Sequence, residues 1–167
     1  SPTDLSMSFV DVLSASGAIH LTGENTGLLF GTWPSGSTNF IGSKTGGLVT
    51  SSSANIYFVG NKLDFNAPVT VKTTGSVYVE SFGDAFSTAV SLPSTFTVDS
   101  AATSFTLGKT TNTANLTVGT ALSINGPIRL YGGNLTLNAA LTTTNASTGD
   151  VLLRGADVNG AYAISLA

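Results

Sequence analysis

Between Asn115 and Leu137 the chain reads Asn115-Leu116-Thr117-Val118-Gly119-Thr120-Ala121-Leu122-Ser123-Ile124-Asn125-Gly126-Pro127-Ile128-Arg129-Leu130-Tyr131-Gly132-Gly133-Asn134-Leu135-Thr136-Leu137. Four apolar-polar-apolar triplets stand in this stretch, separated by Gly, Asn, Thr, Ala, Pro and one Tyr. Alternation with period two marks a strand with one apolar face, and most of the separators are turn formers. Each triplet is expected to bury its two outer residues and turn the middle one to solvent.

Triplets of this kind continue on both sides and fall into phased series. One runs through Ile56-Tyr57-Phe58, Val77-Tyr78-Val79, Phe96-Thr97-Val98, Leu116-Thr117-Val118 and Leu135-Thr136-Leu137, its centres advancing by 21, 19, 20 and 19 residues. A second takes in Val69-Thr70-Val71, Val90-Ser91-Leu92, a weak step near Thr110, Ile128-Arg129-Leu130 and Val151-Leu152-Leu153. A looser third holds Leu63-Asp64-Phe65, the Asp84 region, Phe105-Thr106-Leu107, Leu122-Ser123-Ile124 and Leu141-Thr142-Thr143. Three interleaved series with a step of about 20 residues describe an all-β solenoid, a right-handed parallel β-helix with three strands per coil and roughly eight coils. Ala54-Asn55-Ile56 through Val71 also parallels Ala114-Asn115-Leu116 through Leu130, which places Pro68 and Pro127 at equivalent corners. There a missing N–H disrupts no ladder.

The composition agrees. Charged residues make up 9% of the chain, against about 25% in an average domain. Apolar residues keep a normal 41%. Thr, Val and Ile suit a pleated surface, and no stretch has helical periodicity with charges between. Six basic residues and a net charge of −3 argue against nucleic acid and against an anionic membrane surface. No apolar run reaches the length of about 18 residues that marks a spanning helix. The absence of cysteine excludes disulfides and thiolate metal sites.

The 167 residues are expected to form one β-helical segment, regular over 54–167 and less so over 1–53, where a loop near 31–38 carries Trp33. Ser1 to Val10 lacks the basic start and apolar run of a signal peptide, so an exported parent would carry its signal upstream. Neither end reads as a polar cap, and bare sheet edges invite pairing. Flanking coils or end-to-end association with other copies are therefore expected.

Gly126-Pro127-Ile128-Arg129-Leu130-Tyr131-Gly132-Gly133-Asn134-Leu135-Thr136-Leu137-Asn138-Ala139-Ala140-Leu141, continued by Asp150-Val151-Leu152-Leu153-Arg154-Gly155, resembles the rod repeats of filamentous-haemagglutinin-like large bacterial exoproteins. The likeness covers roughly 54–166 and is greatest over 114–155. It implies a structural, non-catalytic shaft of an exported cell-surface adhesin or extracellular filament, with host or neighbouring-cell glycans or proteins as partners. The Asn-Pro-Asn motifs of that family's secretion domain are missing, so the resemblance is to shaft alone and carries over no functional residue.

Several constellations have residue types that could carry chemistry. Tyr57 and Tyr78 fall on successive outward rungs and are the candidate ligand-binding residues, as a platform for a sugar. Cross-strand aromatic pairs also stabilise sheets without any ligand. Asp64 and Asp84, 20 residues apart, would lie about 5 Å apart if the register holds, as a glycosidase or a cation site requires. Solvated acids in a turn are the plainer reading. His20, the single histidine, has no partner at ligand spacing, so neither a metal nor any cofactor is expected. No nucleophile elbow is present. Thr97, Thr117 and Thr136 would form an outward hydroxyl ladder. The alternatives to a passive shaft are therefore a glycan-binding or polysaccharide-degrading β-helix, or an ice-binding β-solenoid.

Overall fold

A computed structural model describes residues 11–14, 19–22, 27–30, 46–50, 55–65, 68–155 and 163–166. The loop expected near 31–38, with Trp33, lies outside them. The described residues are all-β, with no helix. In chain order the strands are β1 (Asp11–Ser14), β2 (Ile19–Thr22), β3 (Gly27–Phe30), β4 (Gly46–Thr50), β5 (Ile56–Val59) and β6 (Lys62–Phe65). Then come β7 (Val69–Lys72), β8 (Ser76–Glu80), β9 (Val90–Leu92), β10 (Phe96–Val98), β11 (Ser104–Leu107) and β12 (Leu116–Val118). The last are β13 (Leu122–Ile124), β14 (Ile128–Gly132), β15 (Leu135–Leu137), β16 (Leu141–Thr143), β17 (Val151–Gly155) and β18 (Ile164–Leu166).

All pairings are parallel, and each joins a strand to the one three places later. One sheet runs β1-β4-β7-β10, a second β2-β5-β8-β11-β14-β17 and a third β9-β12-β15-β18. The pairs β13-β16 and β3-β6 lie beside β10 and β9 respectively. The strands stack as a β-solenoid of about four turns.

In most strands from β5 to β15 the alternation behaves as the triplets require, but the centre of β11, Thr106, is buried, and in β17 Val151 is exposed together with Leu152. Val69 and Val71, Val90 and Leu92, and Leu122 and Ile124 are buried, while Thr70, Ser91 and Ser123 between them are exposed. The inward residues meet in one apolar core. Phe65 and Phe96 pack edge to face with ring centroids 4.9 Å apart, and Phe58 and Phe105 join them at 5.8–6.5 Å. These rings come from β5, β6, β10 and β11, so side chains from separate sheets fill one interior. Edge-to-face geometry suits their quadrupoles and adds to the gain from burial.

The register corrects the spacing argument. Paired residues lie from 19 apart (Leu116 and Leu135) to 37 apart (Ile19 and Ile56), so the step is not uniformly 20. Among the described residues the sheet with the most strands holds six. Val77 pairs with Phe105, and Phe96 with Val69, so the first series mixed strands of three sheets. Pro68 and Pro127 precede β7 and β14, which belong to different sheets and are not equivalent corners. Val98, expected in the core stack with Phe58, Val79, Val118 and Leu137, is only partly buried.

The physical reason lies in the turns. Residues 81–89 leave the coil as a loop between β8 and β9, and the distance from Val77 to its partner Phe105 becomes 28 residues. Strand edges need matching height, not equal chain length, so an inserted loop shifts the sequence spacing without disturbing the stack.

Close backbone approach also decides one glycine. A Cβ on Gly126 would collide with the backbone carbonyl of Thr103, so no side chain fits there.

Candidate functional site

Tyr57 and Tyr78 are direct neighbours on β5 and β8. Their ring centroids are 4.8 Å apart and their planes differ by 7°. Coplanar rings do not approach so closely, so the two are stacked face against face along the strand-to-strand direction. The Tyr57 hydroxyl accepts a hydrogen bond from Asn55 Nδ2 at 3.0 Å, and Asn55 Oδ1 accepts from the Ser76 N–H at 2.9 Å. One Asn thus orients the ring and ties its coil to the next. Each ring covers one face of the other, an arrangement worth about 0.5–1.5 kcal/mol beyond burial.

The two aspartates are not brought together. Asp64 stands in β6 opposite Leu29, while Asp84 belongs to the loop after β8 and its backbone carbonyl accepts from Thr111 Oγ1 at 2.6 Å. The carboxylate pair therefore does not form. The hydroxyl ladder changes as well. Thr97 lies beside Thr70, their Oγ1 atoms 3.3 Å apart, whereas Thr117 stands between Ser91 and Thr136, with Ser165 next. His20 is the register partner of Tyr57. Among the described residues no group of three or more His, Cys, Asp or Glu is placed to hold a metal.

A polar device that the sequence reading missed lies around the 81–89 loop. Asn112 is fully buried. Its Oδ1 accepts from the N–H groups of Phe86 (3.1 Å) and Ala114 (3.2 Å), and its Nδ2 donates to the Tyr131 carbonyl at 2.8 Å. It thereby joins the loop, its own turn and a strand of the following coil. On the other side Asn61 Oδ1 accepts from Gly83 N–H, while the Ser87 N–H and hydroxyl both donate to the Asn61 carbonyl. Lys109 Nζ donates to the carbonyls of Phe82 and Gly83. Asn115 and Asn134 repeat the Asn55 device, accepting from the N–H groups of Asn134 and Ala163. For Asn55, Asn115 and Asn134 the sequence offers one signal, an Asn immediately before a triplet, but a turn-forming Asn looks the same, and Asn61 and Asn112 lack even that signal.

Glu80 ends β8 beside this loop. Burial raises its carboxyl above the ordinary range, and the Lys109 ammonium pulls partly the other way. A raised acid pKa means that the charged form costs folding stability at neutral pH, and that the cost is relieved as pH falls through the folded value. Glu80→Gln is accordingly expected to melt no lower than wild type at neutral pH and to show a flatter dependence of Tm between neutral and mildly acidic pH. Thermal denaturation across that range checks it.

Comparison with known proteins brings no relative to the chain: no family, no curated protein and no solved structure matches it.

Proposed function

We propose that this chain is a structural shaft segment of an exported bacterial surface adhesin or extracellular filament, coiled as a right-handed parallel β-helix with three strands per coil and performing no catalysis. The observation that supports this reading is the division of labour along the strands. Inward positions are apolar throughout β5 to β15, while the outward centres of β7, β9, β10, β12, β13 and β15 are all Ser or Thr. Such a surface is hydrated and largely neutral, interrupted at Tyr57, Tyr78, Asp64 and Arg129, as suits a spacer that must hold other parts apart. The reading places the protein outside the cell, with neither nucleic acid nor membrane insertion among its partners. Surface glycans or proteins, and flanking coils or further copies at the sheet edges, are the partners it takes.

The experiment is labelling of intact source cells with an antibody raised against the purified chain. Labelling before permeabilisation, lost after brief external proteolysis, is the expected result. Labelling confined to permeabilised cells overturns the surface assignment.

A further inference from the structure

Where β6 and β9 lie side by side without a shared ladder, the surface opens into a groove of about 370 Å³, lined among others by Lys62, Asp64, Thr88, Ser91 and Pro93. That volume lies at the small end of the range for small-molecule sites, about 300–1,000 Å³. Lys62 and Asp64 are two residues apart on β6 and share its outer face, since Leu63 and Phe65 are buried. Among the described residues the ion pair is Arg129–Asp150, and neither Lys62 nor Asp64 has a salt-bridge or hydrogen-bond partner. Asp64 is also the one carboxylate at an outward strand centre from β5 to β18; the other centres carry Ser, Thr, Tyr, Arg or Leu.

The far wall is held in place. Thr88 belongs to the loop tied by Asn61 on one side and Asn112 on the other, so the groove is formed before any ligand arrives. Preorganisation removes the ordering cost that a loose rim would charge to binding.

We propose that this groove is a saccharide-binding site that takes an uncharged sugar through a vicinal diol. A carboxylate accepts two adjacent hydroxyl donors, an ammonium donates to ring or hydroxyl oxygens, and the Thr88 and Ser91 hydroxyls serve either role. Opposite charges on one rim cancel at a distance, which favours a neutral polyol over an ion of either sign. The proposal gives the adhesion reading a ligand class and rests on that reading for its biological meaning alone.

The test is a titration of the isotopically labelled chain, followed by amide NMR shifts, with the methyl glycosides of mannose, galactose and glucose, and with glucuronate for comparison. At least one neutral glycoside is expected to shift amides within 62–65 and 88–92. Asp64→Asn is expected to weaken that binding about tenfold or more, the loss that follows from removing a charged acceptor. Ser91→Ala, which touches no core position, is expected to weaken it less, and Tyr78→Ala to leave it unchanged. The spectrum of Asp64→Asn away from the groove reports whether the fold is intact. No shift with any neutral glycoside overturns the proposal, as do shifts centred on Tyr57 and Tyr78, undiminished binding in the intact Asp64→Asn protein, or binding of glucuronate alone. Because the titration uses purified protein, its failure is separate from a failure of the intact-cell labelling.

Discussion

Val118→Asp is expected to abolish cooperative melting of the central coils, with a loss of about 4 kcal/mol or more, comparable to the whole stability of many domains. Val118 is fully buried, between Leu92 on one side and Leu137 on the other. A carboxylate there has no cation within the apolar stack, so it must either desolvate unpaired or force the coil open. Thr117 sits one residue away on the outer surface between Ser91 and Thr136. Thr117→Asp meets water and neutral hydroxyls, and its expected cost is below about 1 kcal/mol. Urea denaturation of the two variants side by side measures the difference. Equal midpoints would show that the inward and outward positions of β12 are wrongly assigned.

The second large effect belongs to Asn112. Asn112→Ala leaves the N–H groups of Phe86 and Ala114 and the carbonyl of Tyr131 without their side-chain partner. Each buried polar group left unsatisfied costs about 1–3 kcal/mol, so a loss of about 3–5 kcal/mol is expected, less whatever water recovers. Asn112→Asp keeps an acceptor but cannot donate to Tyr131, and it buries a charge; it is expected to be at least as damaging. Hydrogen exchange distinguishes this local staple from a general loss of packing. In Asn112→Ala the amides of residues 86 and 114 should lose protection earlier than those of Leu130 and Leu137. A uniform loss of protection across the chain would count against the staple.

Both effects show where sequence is informative. The pattern of Val118 is local: two apolar residues around a polar one require an extended backbone and a buried face, whatever the neighbours are. The role of Asn112 is not local, because its partners lie 26 residues before it and 19 after it. Its neighbours Thr111 and Thr113 suggest a turn, and a turn-forming Asn has the same local signature as a staple between coils. Thr120 is similar, a buried hydroxyl whose Oγ1 donates to the Phe96 carbonyl at 2.6 Å.

The Tyr57–Tyr78 neighbourhood is legible in the sequence because the two partners lie 21 residues apart, close to the step of about 20 that the triplets suggest. Thr97 was placed beside the wrong strand because the 81–89 loop lengthens the coil before it. The word Ala-Asn-apolar occurs at 54–56 and 114–116, and the Oδ1 of Asn55 and of Asn115 each accepts a backbone N–H from the next coil, yet β5 and β12 belong to different sheets. A local word therefore specifies a corner and not the face on which the corner stands.

The groove proposed for a sugar also escaped the spacing argument. Lys62 and Asp64 are adjacent outward positions in any reading of β6, but Thr88 and Ser91 reach them only because β9 settles beside β6 without pairing to it.

By itself, then, the sequence determined the short strands broken by turns, the inward and outward faces of most strands from β5 to β15 and the stacked character of the fold, since each follows from alternation over a few residues. It did not determine that the regions of Asp84 and Thr110 are loop. Only the tertiary structure decided which strand lies on which, how many residues a turn consumes, and which polar side chains staple one coil to another. Those depend on matching strand heights across loops of unequal length, and a backbone ladder is indifferent to the number of residues spent between its rungs.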